Sequence, residues 1–316
     1  MDLSLIIENW NSKAYLRQCL DSLARHCTVA HTEIIVVDSG SFDGCEQMLA
    51  KEFSGVKFVQ SPQNIGFARS NNLGAQHANG EHLLFLNPDT LFVEDSLRIL
   101  NQRLAELPRA GAVGCRLLNQ DHSLQTSCIQ SFPTVTNQVL DADYLRDRFP
   151  RSWLWGNAPL FDAQLEPCEV DAISGACVAV TREAFEQIGG FTESYFMYGE
   201  DLDLCFKLQR SGYKVYYVPE TRIVHLGGGS SRQAPSNFSI VTMRASVYHF
   251  FQIHRGRGAA ICYRFSMGVA AVVRLGLIQL TPFLDRGAIR RREEALRKWA
   301  SILRWSLGLN IPPSGS

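Results

Sequence analysis

The sequence predicts an α/β chain, with a mostly parallel central sheet flanked by helices and a helical appendage at the C-terminal end. Three observations predict it. Short apolar runs, too brief for helices, alternate with segments of helical periodicity through the first two thirds of the chain. Polar or acidic turns directly follow several of those runs. Near residue 235 the rhythm stops, and long helical patterns rich in arginine replace it, so the expected division is 1–235 and 236–316.

Residues 3–7, LSLII, read as a first buried strand that ends at the polar and aromatic turn Glu8-Asn9-Trp10-Asn11. Asn11 or Ser12 can cap the next helix, where Tyr15, Leu16, Cys19, Leu20 and Leu23 recur on one face. Residues 33–37, EIIVV, form a second strand running into Asp38; a helix over 45–53 and a third strand over 56–60 follow. This order implies parallel pairing, and in such sheets ligands bind beyond the carboxyl ends of the strands. Asp38 stands there, either as a turn-forming residue or as an acceptor for a nucleotide base or ribose.

Gly66 permits a tight turn before a helix over 68–76, whose first N–H groups can face a phosphate. Arg69 is a diphosphate contact or an ordinary solvated arginine. The fourth strand, 82–86, runs into Asn87-Pro88-Asp89-Thr90, which is a plain turn or a hard-cation site completed by substrate phosphates. A helix over 93–107 and a strand over 112–117 follow, and 120–168 lacks clear periodicity and reads as loops around the acceptor side of a pocket. A strand over 170–181 contains Ser174-Gly175, where a missing side chain lets a ligand approach. After a short helix over 182–188 and Gly189-Gly190, Glu200-Asp201-Leu202-Asp203 opens another helix, and a lone His225 follows the next strand.

With 316 residues, 46% of them hydrophobic, the chain can bury a large core. Its 31 basic and 31 acidic side chains cancel unevenly: 240–316 holds 12 Lys/Arg against 3 Asp/Glu, and 1–239 holds 19 against 28. An acidic, metal-tolerant body joined to a basic tail fits that split. Nine cysteines, odd in number and without a CxxC pair, argue for reduced thiols in a cytosolic compartment rather than a disulfide or zinc framework. Met1-Asp2 enters an apolar run without a basic n-region or small-residue cleavage site, so no signal peptide is expected.

Taken together, LSLIIENWN, VVDSGSFDG, NIGFARSNNLG, FLNPDT, the run from ISGACVAVT through GEDLDLCFKLQRSGYKVYYVP and the later His225 resemble family 2 glycosyltransferases of the GT-A fold. The resemblance spans about residues 3–232 and is nearest to the rhamnosyltransferase-like branch, which builds cell-surface polysaccharides. It implies a nucleotide-sugar site formed by Asn9, Asn11, Asp38, Gly66, Arg69, Asn87, Asp89, Ser174, Gly175 and Arg232. It also implies a divalent cation, Mg²⁺ or Mn²⁺, on Asp89 and His225, with Asn87 where the first acid of the family's Asp-x-Asp motif often lies. Asp201 matches the general base for displacement with inversion, while Glu200 and Asp203 support it or cap the helix. Glu8 departs from the pattern, which has an apolar residue or threonine there more commonly.

The expected donor is dTDP-rhamnose, or a UDP- or GDP-hexose on the same fold, and the expected acceptor is lipid-linked or a glycan. A non-catalytic sugar-nucleotide-binding scaffold is the alternative of a different class. Beyond the 226–232 loop, helices are expected over 239–254, 259–280 and 286–307. Arg264 and Arg274 would be costly at a bilayer centre, which favours an interfacial helix pair over a spanning one. In that reading Trp299 and Trp305 sit at headgroup depth, with Arg290, Arg291, Arg292, Arg297 and Lys298 near anionic lipid. A soluble helical cap or a homodimer interface is the competing reading. The expected location is cytoplasmic, peripheral on the inner face of the cell membrane, with no nucleic-acid partner.

Overall fold

The computed structural model describes residues 2–140, 143–163, 165–227, 236–280 and 286–309. Its first elements are β1 (Leu3–Asn9), α1 (Lys13–His26), β2 (Thr32–Ser39), α2 (Cys45–Glu52), β3 (Lys57–Ser61), α3 (Phe67–Gln76), β4 (His82–Leu86), β5 (Thr90–Phe92), α4 (Ser96–Glu106) and β6 (Ala110–Leu118). Then come β7 (Ile129–Gln130), α5 (Val135–Leu140), α6 (Asp143–Arg148), β8 (Cys168–Glu169), β9 (Ala172–Ile173), β10 (Cys177–Thr181) and α7 (Arg182–Gln187). The last are α8 (Glu200–Arg210), β11 (Lys214–His225), α9 (Ser236–Leu280) and α10 (Arg286–Ser306).

Contacts divide the chain into two compact units. The first holds the residues up to Phe132, Pro150–Phe196, and α8 with β11. Its sheet runs β3-β2-β1-β4-β10-β6-β11-β5, with β8 paired to β11. Strands β1 to β4 pair in parallel, as do β6 and β11, so the expected mostly parallel α/β sheet is present. Leu5, Ile6 and Ile7 of β1 are fully buried, as a strand covered on both faces requires. Each such side chain contributes about 1.5–3 kcal/mol through burial.

Three local features differ from expectation. The strand expected over 170–181 is broken: β9 pairs with β7 in a separate ribbon, and β10 runs antiparallel to β4 and β6. Between them the chain turns at 174–176, where Ser174 Oγ accepts from the Ala176 N–H at 3.3 Å. The unexpected β5 pairs antiparallel with β11, His225 opposite Thr90. Finally, the Ser12 side chain makes no cap bond to α1. Ser12 Oγ donates to the Trp10 carbonyl, and the Lys13 N–H is met by Asp43 Oδ2 at 2.9 Å. The cap thus comes from the loop after β2 and ties it to the loop after β1.

The second unit comprises Pro133–Phe149, Met197–Gly199 and the chain that carries α9 and α10. The two helices expected over 239–254 and 259–280 form one element with a kink at Gly256, whose φ of 84° a side chain would disfavour. Val241, Phe251, Tyr263, Met267, Trp299, Ile302 and Trp305 form its core. Trp299 and Trp305, expected at headgroup depth, are instead 7% and 4% exposed. The indole of Trp305 lies 5.9 Å from the Tyr263 ring, and the Arg274 guanidinium 4.2 Å over Trp299. Large flat rings that gain this much by burial are taken by the core of the unit itself. The side chains of Arg290 and Arg291 lie outside the described residues.

Candidate active site

Strand register brings the sequence-predicted residues to one edge of the sheet. Asn9 stands opposite Asp38 at the ends of β1 and β2, and Ile7 opposite Leu86, so Glu8, still paired with β2, lies beside Asn87 where β4 ends. Because β10 is antiparallel to β4, its start lies at this same edge, and the Asn87 N–H donates to the Ala176 carbonyl at 3.0 Å. The β5–β11 pairing places Asp89, one residue before Thr90, against His225, and the Leu226 N–H donates to the Asp89 carbonyl at 2.9 Å.

Asp38 is fully buried. Its Oδ1 accepts from Asn9 Nδ2 at 2.7 Å and from the Ser41 hydroxyl, and its Oδ2 from Gln60 Nε2 at 2.8 Å and the Ser41 N–H at 3.1 Å. Burial alone would raise its pKa, but the donors from Ser41, Gln60 and Asn9 outweigh it and hold the carboxyl below its ordinary value. With both oxygens engaged by the chain, Asp38 orders the 39–42 loop. Asp38, Asp43 and Cys45 place ligand-type atoms within 4.8 Å of one another. Asp43 is engaged by the Lys13 and Cys45 N–H groups, and the Cys45 thiol, its pKa pushed up by burial and by Asp38, donates to Asp38. That group is a hydrogen-bonded brace.

His225 Nε2 lies 3.3 Å from Asp89 Oδ1 and 3.5 Å from Asn87 Nδ2. Its Nδ1 lies 2.8 Å from Gln125 Oε1. The Gln125 amide nitrogen donates to Asn119 Oδ1 at 3.1 Å and to the His225 carbonyl at 3.4 Å, which fixes the direction of the amide. The oxygen therefore faces the ring, Nδ1 carries a proton, and Nε2 is left directed at Asp89 Oδ1. An imidazole nitrogen and a carboxylate oxygen converging in this way fit a divalent cation of the Mg²⁺ or Mn²⁺ kind, with imidazole suiting Mn²⁺ better.

Asp201 is in the first turn of α8, where the helix dipole favours negative charge. Its Oδ2 accepts from the Gly175 N–H at 3.0 Å and its Oδ1 from the Leu202 N–H at 2.8 Å. Burial raises its pKa against those two bonds. Glu200 is 8% exposed, and its Oε2 has no hydrogen-bond partner among the described residues. Burial first, then the Asp201 carboxylate, pushes its pKa up to about 8, with Glu8 and Asp203 adding to the rise. Burial, Asp38 and Asp89 push Glu8 up to about 7. Asp38, Asp89, Glu8, Glu200 and Asp201 thus form one electrostatic group. Glu200 and Asp201 both have raised pKa values, so the pair holds protons more tightly than two solvated carboxyls would.

Asp203 is also in the first turn of α8. It is fully buried, accepts from Thr192 Oγ1 at 2.6 Å, and lies 3.5 Å from Lys207 Nζ, which also donates to the Gly190 carbonyl at 2.5 Å. This anchors the Gly189-Gly190 turn to the helix that carries Asp201. Gly175, expected to admit a ligand, has Asp201 as its close neighbour: a Cβ there would meet Asp201 Cβ at 3.4 Å. At Gly66, φ is +80° and a Cβ would stand 2.6 Å from the Phe196 carbonyl oxygen, so only glycine fits the turn into α3. Arg69 is half exposed, 3.6 Å from Glu193, and Asn11 is exposed with φ of 51°. Arg232 lies outside the described residues. Sequence reasoning missed Gln125, whose signal is hidden in the aperiodic 120–168 stretch. Two cavities of about 610 and 480 Å³ are lined by other residues than these carboxylates.

A mostly parallel sheet with carboxylates along its carboxyl edge and a histidine ending its last long strand defines a GT-A glycosyltransferase layout. Residues 4–189 match Glycosyl transferase family 2, and residues 162–227 match the N-terminal domain of galactosyltransferase. The chain belongs to glycosyl transferase family 2 and is a glycosyltransferase of glycan synthesis. It is 28% identical over 267 residues to the N-acetylglucosaminyl-diphospho-decaprenol L-rhamnosyltransferase of Mycobacterium tuberculosis H37Rv, covering 80% of this chain and 85% of that one. It is 24% identical over 237 residues to the rhamnosyltransferase WbbL of Escherichia coli K12, covering 72% and 84%. Among solved structures, the Pyrobaculum calidifontis mannosyltransferase PcManGT with GDP-Man and Mn²⁺ superposes with a TM-score of 0.61 at 18% identity, over 97% of this chain and 86% of that one. GalNAc-T7 with UDP, GalNAc and Mn²⁺ gives 0.58 at 17%, over 99% and 58%.

Proposed function

We propose that this protein is an inverting, metal-dependent glycosyltransferase that moves a hexose, rhamnose first among candidates, from a nucleoside diphosphate to a lipid-linked or polysaccharide acceptor. The observation that carries the proposal is the Asp201 carboxylate, held by the Gly175 N–H beside buried Glu200 on the edge that also carries Asp89 and His225. In this reading Asp201 takes the acceptor hydroxyl proton as that oxygen attacks the anomeric carbon, and the bond to the diphosphate breaks on the opposite side. Gly175 keeps one oxygen of the base fixed, and the raised pKa of Asp201 makes it a better proton acceptor than a solvated aspartate. Asp89 and His225, with Asn87 beside them, would hold Mg²⁺ or Mn²⁺, which when bound supplies positive charge against the departing diphosphate. Asp38, through the 39–42 loop, shapes the donor-base pocket, and Asn9 holds Asp38.

The rhamnosyl donor and lipid-linked acceptor are supported by the name of the mycobacterial relative, and Mn²⁺ by the ion in both solved neighbours. The residues through about 235 are the catalytic domain in this reading. The remainder, 236–316, holds the enzyme to the cytoplasmic face of the membrane that carries the acceptor. A thermal-shift screen of dTDP-, UDP- and GDP-sugars with Mg²⁺ or Mn²⁺ tests the donor, because binding to the native state raises its stability with the logarithm of ligand over Kd. One nucleotide class should raise the transition in the presence of metal. Transitions unmoved by every nucleotide sugar would sink the proposal, and a shift without sugar transfer to any acceptor would favour the sugar-nucleotide-binding scaffold instead.

A further inference from the structure

The second half of α9 turns its apolar residues outward and its charges inward. Ile261, Phe265, Val272, Val273, Leu277 and Leu280 are between 53% and 79% exposed. At 100° per residue they fall, with Val269, within an arc of about 160°, and the stripe runs about 30 Å. The only charged residues from 258 to 280 are Arg264 and Arg274. Both reach the opposite side. Arg264 donates to the carbonyls of Trp305 at 2.9 Å and Ser306 at 3.1 Å, closing the C-terminal end of α10. Arg274 donates to the Val139 carbonyl at 2.7 Å, near the end of α5. Each guanidinium also faces an indole, of Trp305 and Trp299 respectively. A helix facing water carries the reverse arrangement, apolar side inward and charge outward.

We infer that this stripe is a docking surface for an anionic lipid bilayer, on which α9 lies in the plane of the headgroups with its outer side chains among the acyl chains. This deepens the membrane part of the proposed function and rests on it. Charge selects the occupant. Residues 240–316 carry 12 basic against 3 acidic side chains, and exposed Arg257 stands one turn before the stripe begins at Ile261. Anionic headgroups neutralise that excess, whereas a second copy would bring the same positive field against itself. By length and composition this helix is also long and apolar enough to cross a membrane. Its inner side, however, is taken: Ala260, Tyr263, Met267 and Ala271 are at most 1% exposed in the core shared with α10. A helix covered along one side by its own unit lies on the bilayer rather than through it.

The test uses the full chain and sedimentation with phosphatidylglycerol–phosphatidylcholine vesicles, with pure phosphatidylcholine as the reference. The chain should pellet with the anionic vesicles, and Phe265→Glu/Val272→Glu should lower the bound fraction at least about tenfold. The variant should keep the wild-type donor-induced thermal shift, so that a failed surface and a failed enzyme are told apart. If the variant does not fold, the wild-type chain labelled with an environment-sensitive dye at Cys262, the exposed cysteine on this helix, gives an independent readout. Its emission should move to shorter wavelength on adding anionic vesicles. A chain that stays in the supernatant, a variant that pellets like wild type, or an unmoved dye overturns the proposal. So does a variant whose effect is to convert a dimer to a monomer without vesicles, which would assign the stripe to a second copy.

Discussion

The Gly175 N–H donates to Asp201 Oδ2 at 3.0 Å, joining the turn before β10 to the first turn of α8. Two segments that lie 26 residues apart thereby fix one oxygen of the carboxylate proposed as the base. Asp201→Asn keeps the shape of the side chain and removes its capacity to take a proton. Turnover should fall by about 10²–10⁴-fold, with donor binding by calorimetry within a few fold of wild type. A variant that bound donor and turned over normally would mean that the proton leaves by another route.

Glu200 links this site to stability. Its pKa is raised from 4.5 to about 8, so between those values the folded state holds a proton that the unfolded chain has released. Its contribution is therefore fully present below about pH 4.5 and is lost as pH rises toward 8. Glu200→Gln mimics the protonated form at every pH. Urea unfolding at pH 5 and pH 8 should show the variant close to wild type at the lower pH and more stable, by on the order of a few kcal/mol, at the higher. Equal slopes for the two proteins would show that Glu200 is not protonated in the fold.

Gln125 sets the His225 tautomer through a 2.8 Å contact to Nδ1. Gln125→Leu leaves the ring free to place its proton on Nε2 and so to lose its lone pair toward Asp89. Removal of a partner that orients a metal-binding histidine costs about 10–100-fold in affinity, so Mn²⁺ binding followed by electron paramagnetic resonance should weaken by that factor. Gln125→Glu keeps an acceptor for Nδ1 and should restore part of the affinity. Wild-type Mn²⁺ affinity in the leucine variant would separate Gln125 from the metal.

The parallel part of the sheet is legible in the sequence because β1, β2 and β4 are buried on both faces and therefore written as unbroken apolar runs. The same strands expose Asp38 and Asn87-Pro88-Asp89 to view, since each polar residue comes directly after its run. Strand direction is not encoded that way: Cys177–Thr181 is as apolar as β4 yet runs the other way, because what reverses it is the turn at 174–176 and its place between β4 and β6. Thr90–Phe92 is too short to show a period, although its pairing with β11 is what sets Asp89 beside His225. In the tail, periodicity marked the helices but not which side faces in, because Arg264 and Arg274 reach carbonyls that belong to α10 and α5.

Asp38 offers a stability test of the loop reading. Four donors from Asn9, Ser41 and Gln60 meet its two oxygens, and Asp38→Ala would strand them in a buried site. The loss should be about 2–4 kcal/mol at pH 7 by urea unfolding, since bonds to a charged group exceed the neutral average. The folded pKa lies below the ordinary 3.8, so this advantage is present above pH 3.8 and fades as pH falls through the lower folded value. The gap between wild type and variant should therefore narrow under acid. A constant gap would place the cost in packing rather than in charge.

Asp203 and Lys207 pose a choice between pairing and charge. Asp203 has no exposure, and Lys207 Nζ, 3.5 Å away, is the cation that compensates it, while burial lowers the pKa of Lys207 despite the nearby carboxylate. Lys207→Met removes the compensation and also the donor to the Gly190 carbonyl, so it should destabilise by about 3–5 kcal/mol. Asp203→Asn alone keeps an acceptor for Thr192 and leaves the lysine able to reach Gly190, and should cost less. Adding Asp203→Asn to Lys207→Met should recover part of the loss, because the buried charge is then gone. If the double variant is as unstable as the sum of the singles, the turn at Gly190 depends on the lysine as a hydrogen-bond donor and the ion pair contributes nothing.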